Sequence, residues 1–172
     1  MSRSLNSNLF CAIAVATALA APLAHAQSIN ATQVVNGSGA CSGATKAYDD
    51  SLRRQPLMLR NESTSNVFVT CAPQQFAESR NYSLYMQFLN QGTTTSTTTC
   101  TLVSTPGAGT GTPVYTTYQL ALLGGASGRM NLYAPSGTNS YGLIHAVSCN
   151  LPGKHAIGEI EIDGSLTAEV QP

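Results

Sequence analysis

Few side chains in this sequence are equipped for chemistry. Beyond residue 26 there are two histidines, His145 and His155, and Glu159 follows His155 by four positions. In a strand that spacing brings an imidazole and a carboxylate to one face, where they could share a metal ion or a proton. Two ligands fall short of a zinc site. A Ser–His–acid trio needs an imidazole beside a hydroxyl and a carboxylate. Alternation places His145 with Leu143 and Val147 on an inward face, and His155 follows Pro152-Gly153-Lys154 in a turn, where solvent should reach it. No G-x-S-x-G elbow presents a serine. Glu62, Glu78 and Asp49 fall in loops, with no Trp anywhere to make a sugar platform between paired acids.

The calcium candidates are Asp49-Asp50 and Asp163-Gly164, without the D-x-D-x-D loop that would close a site. They read as an acidic loop and a hairpin turn. Gly107-Ala108-Gly109-Thr110-Gly111 and Gly124-Gly125-Ala126-Ser127-Gly128 complete neither a P-loop nor a dinucleotide fingerprint. The sequence thus assigns no catalytic residue, no cofactor and no metal ligand, and it reads as a protein that is not an enzyme.

The cysteines carry the clearest chemistry. Cys41, Cys71, Cys100 and Cys149 are spaced by 29 residues or more, too far apart for the close pairs of a zinc site. An even number in an exported chain reads as a disulfide framework with three possible connectivities. Sequence neighbours tend to become neighbours in a sheet, which favours Cys41–Cys71 and Cys100–Cys149. Loops of that length are worth about 3.5–4 kcal/mol each on the chain-entropy model.

Export is read from the first residues. A polar start with one basic residue, Arg3, leads into an apolar run from Leu9 to Ala21, broken by Pro22. Ala24-His25-Ala26 then forms a small-x-small cleavage site, with cleavage between Ala26 and Gln27. The run is too short to cross a bilayer, and Cys11 inside it is no lipid-attachment site. The 146 residues that follow suit one domain. They keep seven basic and eight acidic side chains, a net charge of −1. Without a basic stripe, nucleic acid is excluded as a partner, and no second apolar segment spans a membrane. The expected location is the periplasm, the cell surface or the exterior.

The elements that must position these residues are strands. Charged residues make up only 9% of the chain, and strong helix formers are scarce. Period-2 alternation marks Ile29–Val35, Gln55–Arg60, Asn66–Cys71, Tyr82–Asn90, Thr97–Val103, Val114–Leu123, Gly128–Tyr133, Ser140–Asn150, Ile157–Ile162 and Leu166–Val170. Leu57 and Leu59 are expected to share a face, as are Leu84, Met86 and Phe88. The stretch from Cys41 to Arg54 lacks alternation and has room for a helical turn, and Ser104–Pro113 reads as a surface loop. The fold class is all-β, an antiparallel β-sandwich (jelly-roll or Ig-like) of about 8–10 short strands, stapled by two disulfides.

Tyr85, Tyr115 and Tyr133 should face outward, the one feature that favours a carbohydrate-binding module. The run Thr93–Thr99 offers a hydroxyl-coated surface, and Asn30, Asn36, Asn61 and Asn81 begin N-x-[ST] sequons. Val69-Thr70-Cys71-Ala72-Pro73 and Ser148-Cys149-Asn150-Leu151-Pro152-Gly153 resemble the cysteine-proline strand ends of small exported four-cysteine β-sandwich proteins of Gram-negative bacteria, an uncharacterised group. That resemblance implies export and a sandwich, and supplies no active site. The Thr- and Gly-rich composition is also similar to chaperone–usher pilus subunits, which implies a donor strand at Gln27–Asn36. The aromatic residue such subunits carry next to the C-terminus is absent, since Gln171 precedes Pro172. The expected function is an exported, non-enzymatic binding or structural protein with a protein or glycan partner. The alternatives are a subunit of a surface polymer and a carbohydrate-binding module.

Overall fold

A computed structural model describes residues 26–72, 79–105, 112–133 and 143–169. The segment ahead of Ala26 that reads as an export signal, and with it Cys11, lies outside them, as do Glu78 and residues 106–111 of the expected loop. Eleven strands and two single helical turns follow one another along the described chain. They are β1 (Ala26–Asn36), α1 (Gly37–Ala40), β2 (Cys41–Gly43), α2 (Lys46–Asp49), β3 (Leu52–Gln55), β4 (Met58–Asn61) and β5 (Val67–Cys71). Then come β6 (Ser79–Asn90), β7 (Ser96–Thr105), β8 (Val114–Leu122), β9 (Ser127–Tyr133), β10 (Leu143–Leu151) and β11 (His155–Glu169).

The strands form two antiparallel sheets. Sheet A runs β3-β4-β11-β6-β9, with β1 also on β11, and sheet B runs β2-β5-β10-β7-β8. From β4 onward the chain crosses between the sheets at every connection except β7–β8, so that β4-β11-β6-β9 faces β5-β10-β7-β8, which is the jelly-roll arrangement of two interleaved Greek keys and not the Ig one. The core between the sheets follows from alternation. Leu84, Met86 and Phe88 of β6 meet Val67 and Val69 of β5, Leu102 of β7 and Val147 of β10, all buried.

Both disulfides, Cys41–Cys71 and Cys100–Cys149, join residues directly opposite on neighbouring strands of sheet B. Neither crosses to sheet A. The sheets are tied instead by packing and by three buried polar side chains at one end. Asn61 donates to the Leu151 and Pro152 carbonyls, Asn90 to the Leu122 carbonyl, and His155 meets Ser96 and Thr98. Their strands β4, β11 and β6 are adjacent, so a polar row closes the end where four chain crossings between the sheets occur.

Several expectations are corrected. Gln55–Arg60 is not one strand. Pro56 has no N–H for a ladder, so Pro56 and Leu57 make the turn of a β3–β4 hairpin, with Gln55 opposite Met58. Leu57 is therefore 72% exposed while Leu59 is buried. Asp163-Gly164 is not a hairpin turn: β11 is held between β1 and β6, so it continues through this point with a register shift. Asp163 there accepts a hydrogen bond from Thr32 Oγ1 at 2.8 Å. The expected strands Ile157–Ile162 and Leu166–Val170 accordingly fall on one strand, described as far as Glu169. In β10 a bulge between Ile144 and Ala146 resets the register, so Ile144 is buried ahead of Val147 and Cys149. The polar segment Gln27–Asn36, expected as a donor for a neighbour, pairs with β11 of its own chain. Ser104 and Thr105, assigned to a loop, are buried residues at the end of β7.

Candidate functional site

The largest departure from expectation is His155. It is fully buried, not solvated, with Nε2 2.5 Å from Ser96 Oγ and Nδ1 3.0 Å from Thr98 Oγ1. Pro152, Gly153 and Lys154 do form a turn, closed by the His155 N–H on the Pro152 carbonyl, with Lys154 at φ 65°. The turn feeds His155 straight into β11, whose first residue faces the core. Burial holds its imidazole below the usual histidine range. A serine against an imidazole invites a nucleophilic reading. Here both ring nitrogens are committed to hydroxyls, no carboxylate is among the ring's hydrogen-bond partners, and Asn90 Nδ2 also donates to Ser96 Oγ at 3.3 Å. The cluster is a tie between the sheets.

Surface chemistry converges elsewhere, on the outer face of sheet A. Alternation turns Tyr85 and Gln87 outward from β6, and Ser127, Arg129 and Tyr133 outward from β9. β11 contributes Glu159 and Glu161 through a bulge. Register shifts between Ile157 and Ile160, so both isoleucines turn inward and Gly158–Glu159 is re-aimed across the sheet. Gly158 lies against Gln87, where a Cβ would sit 3.2 Å from Oε1. Tyr85, Gln87, Ser127, Gly128, Arg129, Glu159 and Glu161 line an open groove of about 370 Å³.

Within the groove, Arg129 is the hub. Its guanidinium lies 4.2 Å above the Tyr85 ring centroid, and Nη2 donates to Glu161 Oε2. Tyr133 stands edge-on to Tyr85, centroids 6.4 Å apart at 83°, and is 50% exposed. Its phenol is held above the usual range, first by its hydrogen bond to Tyr85. A planar guanidinium, two carboxylates, an amide and a hydroxyl thus surround an aromatic step, a mixture that can both donate to and accept from hydroxyl groups. Among the described residues no three His, Cys, Asp or Glu side chains cluster to hold a metal ion.

Outward tyrosines were legible from alternation. Arg129 and the meeting of β6, β9 and β11 were not, because pairing of strands far apart in sequence leaves no local signal. Glu62 and Asp49 lie away from this groove. Asp49 accepts from the Gly43 N–H and pairs with Arg54, and Glu62 pairs with Arg60. The side chain of His145 lies outside the described residues.

No protein-family model matches the sequence, and no curated protein matches it. Among solved structures, the C-terminal CBM6 of LamC, a marine laminarinase from Zobellia galactanivorans, is 13% identical, covers 77% of this chain and 98% of its own, and has a TM-score of 0.42. The C-terminal family 22 carbohydrate binding module of Clostridium thermocellum Xyn10B is 15% identical over 85% of this chain and 89% of its own, with a TM-score of 0.38. Latent PorU from Porphyromonas gingivalis, 10% identical, matches 88% of this chain with 14% of its own length and a TM-score of 0.43. Scores this low carry no inference from those proteins to this one.

Proposed function

We propose that this chain is an exported jelly-roll domain that binds an uncharged glycan in the groove across β6, β9 and β11. The observation that carries the reading is the convergence of Tyr85, Gln87, Arg129 and Glu159 from three strands in one open groove. A sugar hydroxyl donates one hydrogen bond and accepts others, and this groove offers both roles within one ligand's reach. With one guanidinium against two carboxylates, it repels anionic glycans. Two disulfides fit an oxidising compartment, as the export segment implies. No described helix is long and apolar enough to cross a membrane.

The test is affinity electrophoresis and calorimetry of the disulfide-bonded protein against a panel of neutral and anionic polysaccharides. Binding to a neutral member, lost in Gln87→Ala and Glu159→Gln while the melting temperature holds, supports the reading. Binding to none, or binding that survives both substitutions, refutes it.

A further inference from the structure

Sheet B differs from sheet A in a way the glycan reading does not use. Among the described residues, none of its five strands contains an Asp, Glu, Lys or Arg. On its outer face one row crosses every strand with a hydroxyl: Ser42 opposite Thr70, Thr70 opposite Ser148, Ser148 opposite Thr101, and Thr101 opposite Thr117. Thr101 Oγ1 and Thr117 Oγ1 are 3.4 Å apart. The row stops at Thr117 because β8 is the edge.

Among the described residues nothing protects that edge. Backbone N–H and C=O groups along an exposed edge form a template for another strand, and proteins blunt such edges with charge, proline, bulges or brevity. β8 is nine residues long, VYTTYQLAL, with neither charge nor proline. Its register with β7 runs unbroken from Ser104↔Val114 to Ser96↔Leu122. Among the described residues no strand pairs with its other side. The other edges differ: β2 has three residues, β3 carries Arg53 and Arg54, β9 carries Arg129, and β1 is uncharged but adjoins the carboxylates of β11.

We propose that β8 is a self-association edge, on which a second copy of this chain pairs antiparallel through its own β8. A twofold axis sets the strand against its own reversed copy, so any charge near the axis would lie close to its like; a strand without charge meets no such penalty. Centred on Thr117, the pairing sets Thr117 against Thr117 of the partner subunit. It carries the hydroxyl row onward through one sheet twice as wide. Tyr115, 69% exposed in the single chain, then lies opposite Gln119 of the partner subunit and gains cover.

Sedimentation velocity on the disulfide-bonded protein, from micromolar to millimolar concentration, reads the outcome. The expected result is a dimer that Thr117→Lys converts to monomer, weakening association more than about tenfold. Ser42→Lys, on the same row at the far edge, should leave the dimer intact. A monomer across the whole range overturns the proposal, as does a Thr117→Lys protein as dimeric as the original. Should that variant misfold, hydrogen exchange of the unaltered protein decides. Amides of Val114–Leu122 gain protection with concentration if the edge pairs, and show no change if it does not.

Discussion

The hydroxyl of Tyr118 clamps the backbone of Tyr133 at both polar groups, donating to its carbonyl at 2.7 Å and accepting from its N–H at 3.1 Å. Tyr118 lies on β8 at the edge of sheet B and Tyr133 at the end of β9 at the edge of sheet A. One phenol therefore joins the two sheets across their edge strands. Tyr118→Phe removes both bonds and keeps the ring. A loss of about 1 kcal/mol, read as a drop of a few degrees in thermal melting, is expected because water reaches the freed groups. A melting curve unchanged by the substitution would show that packing alone holds that corner.

His155 makes stability depend on pH. Burial lowers its folded pKa below the unfolded value near 6.5, so the unfolded chain takes up the proton first. Its contribution is full above pH 6.5 and is lost as pH falls through the folded value. Denaturant titrations between about pH 7 and pH 5 should show midpoints falling with acidity, and His155→Gln should flatten that slope. A variant whose midpoints fall as steeply would assign the effect to other groups.

Much of the sandwich is legible in the alternation of apolar and polar residues. Leu84, Met86 and Phe88 occupy the core face that their period-2 spacing dictates, and Val67, Val69 and Cys71 do likewise. What failed was local geometry that breaks the period. The bulge after Ile144 and the one after Ile157 each add a residue that alternation cannot foresee, and Pro56 ends a strand that apolar content would have continued. His155 failed for another reason. Its burial depends on Ser96 and Thr98, nearly sixty residues earlier, and a histidine after Pro-Gly-Lys looks locally like any solvated turn residue. The groove was half legible: Tyr85 and Tyr133 read as outward, but which strands would sit beside them is a matter of topology.

Asn90 caps two connections at once. Nδ2 donates to the Thr94 carbonyl at 2.8 Å and the Leu122 carbonyl at 3.1 Å, and Oδ1 accepts from the Gly92 N–H at 2.9 Å. Gly125, at φ 76°, completes the β8–β9 turn, and its N–H is donated to the Asn90 carbonyl, so the turn docks directly on this residue. Asn90→Ala leaves buried groups unpaired and should cost about 2–3 kcal/mol. Asn90→Asp should cost more at neutral pH, since a carboxylate would face the Thr94 and Leu122 carbonyls with no donor to offer. Equilibrium unfolding separates the two, and an Asp variant as stable as Ala would contradict this account of the amide.

Arg129 separates stability from binding. Its pair with Glu161 is half exposed on the arginine side, so breaking it should cost no more than about 1 kcal/mol. Its value to a ligand is larger, because a planar guanidinium fixed above Tyr85 presents donors in a set direction. Arg129→Lys keeps the charge and loses the fork. If the groove reads hydroxyls, this substitution should weaken glycan binding at least about tenfold, or about 1.4 kcal/mol, with little change in unfolding. Glu161→Gln keeps an acceptor beside the guanidinium, and should weaken binding less than Arg129→Lys. Were Glu161→Gln to weaken binding more than Arg129→Lys, which keeps the charge, charge rather than donor geometry would govern the groove. Calorimetric titration of both variants at two salt concentrations distinguishes these cases, since only a charge effect fades as salt rises.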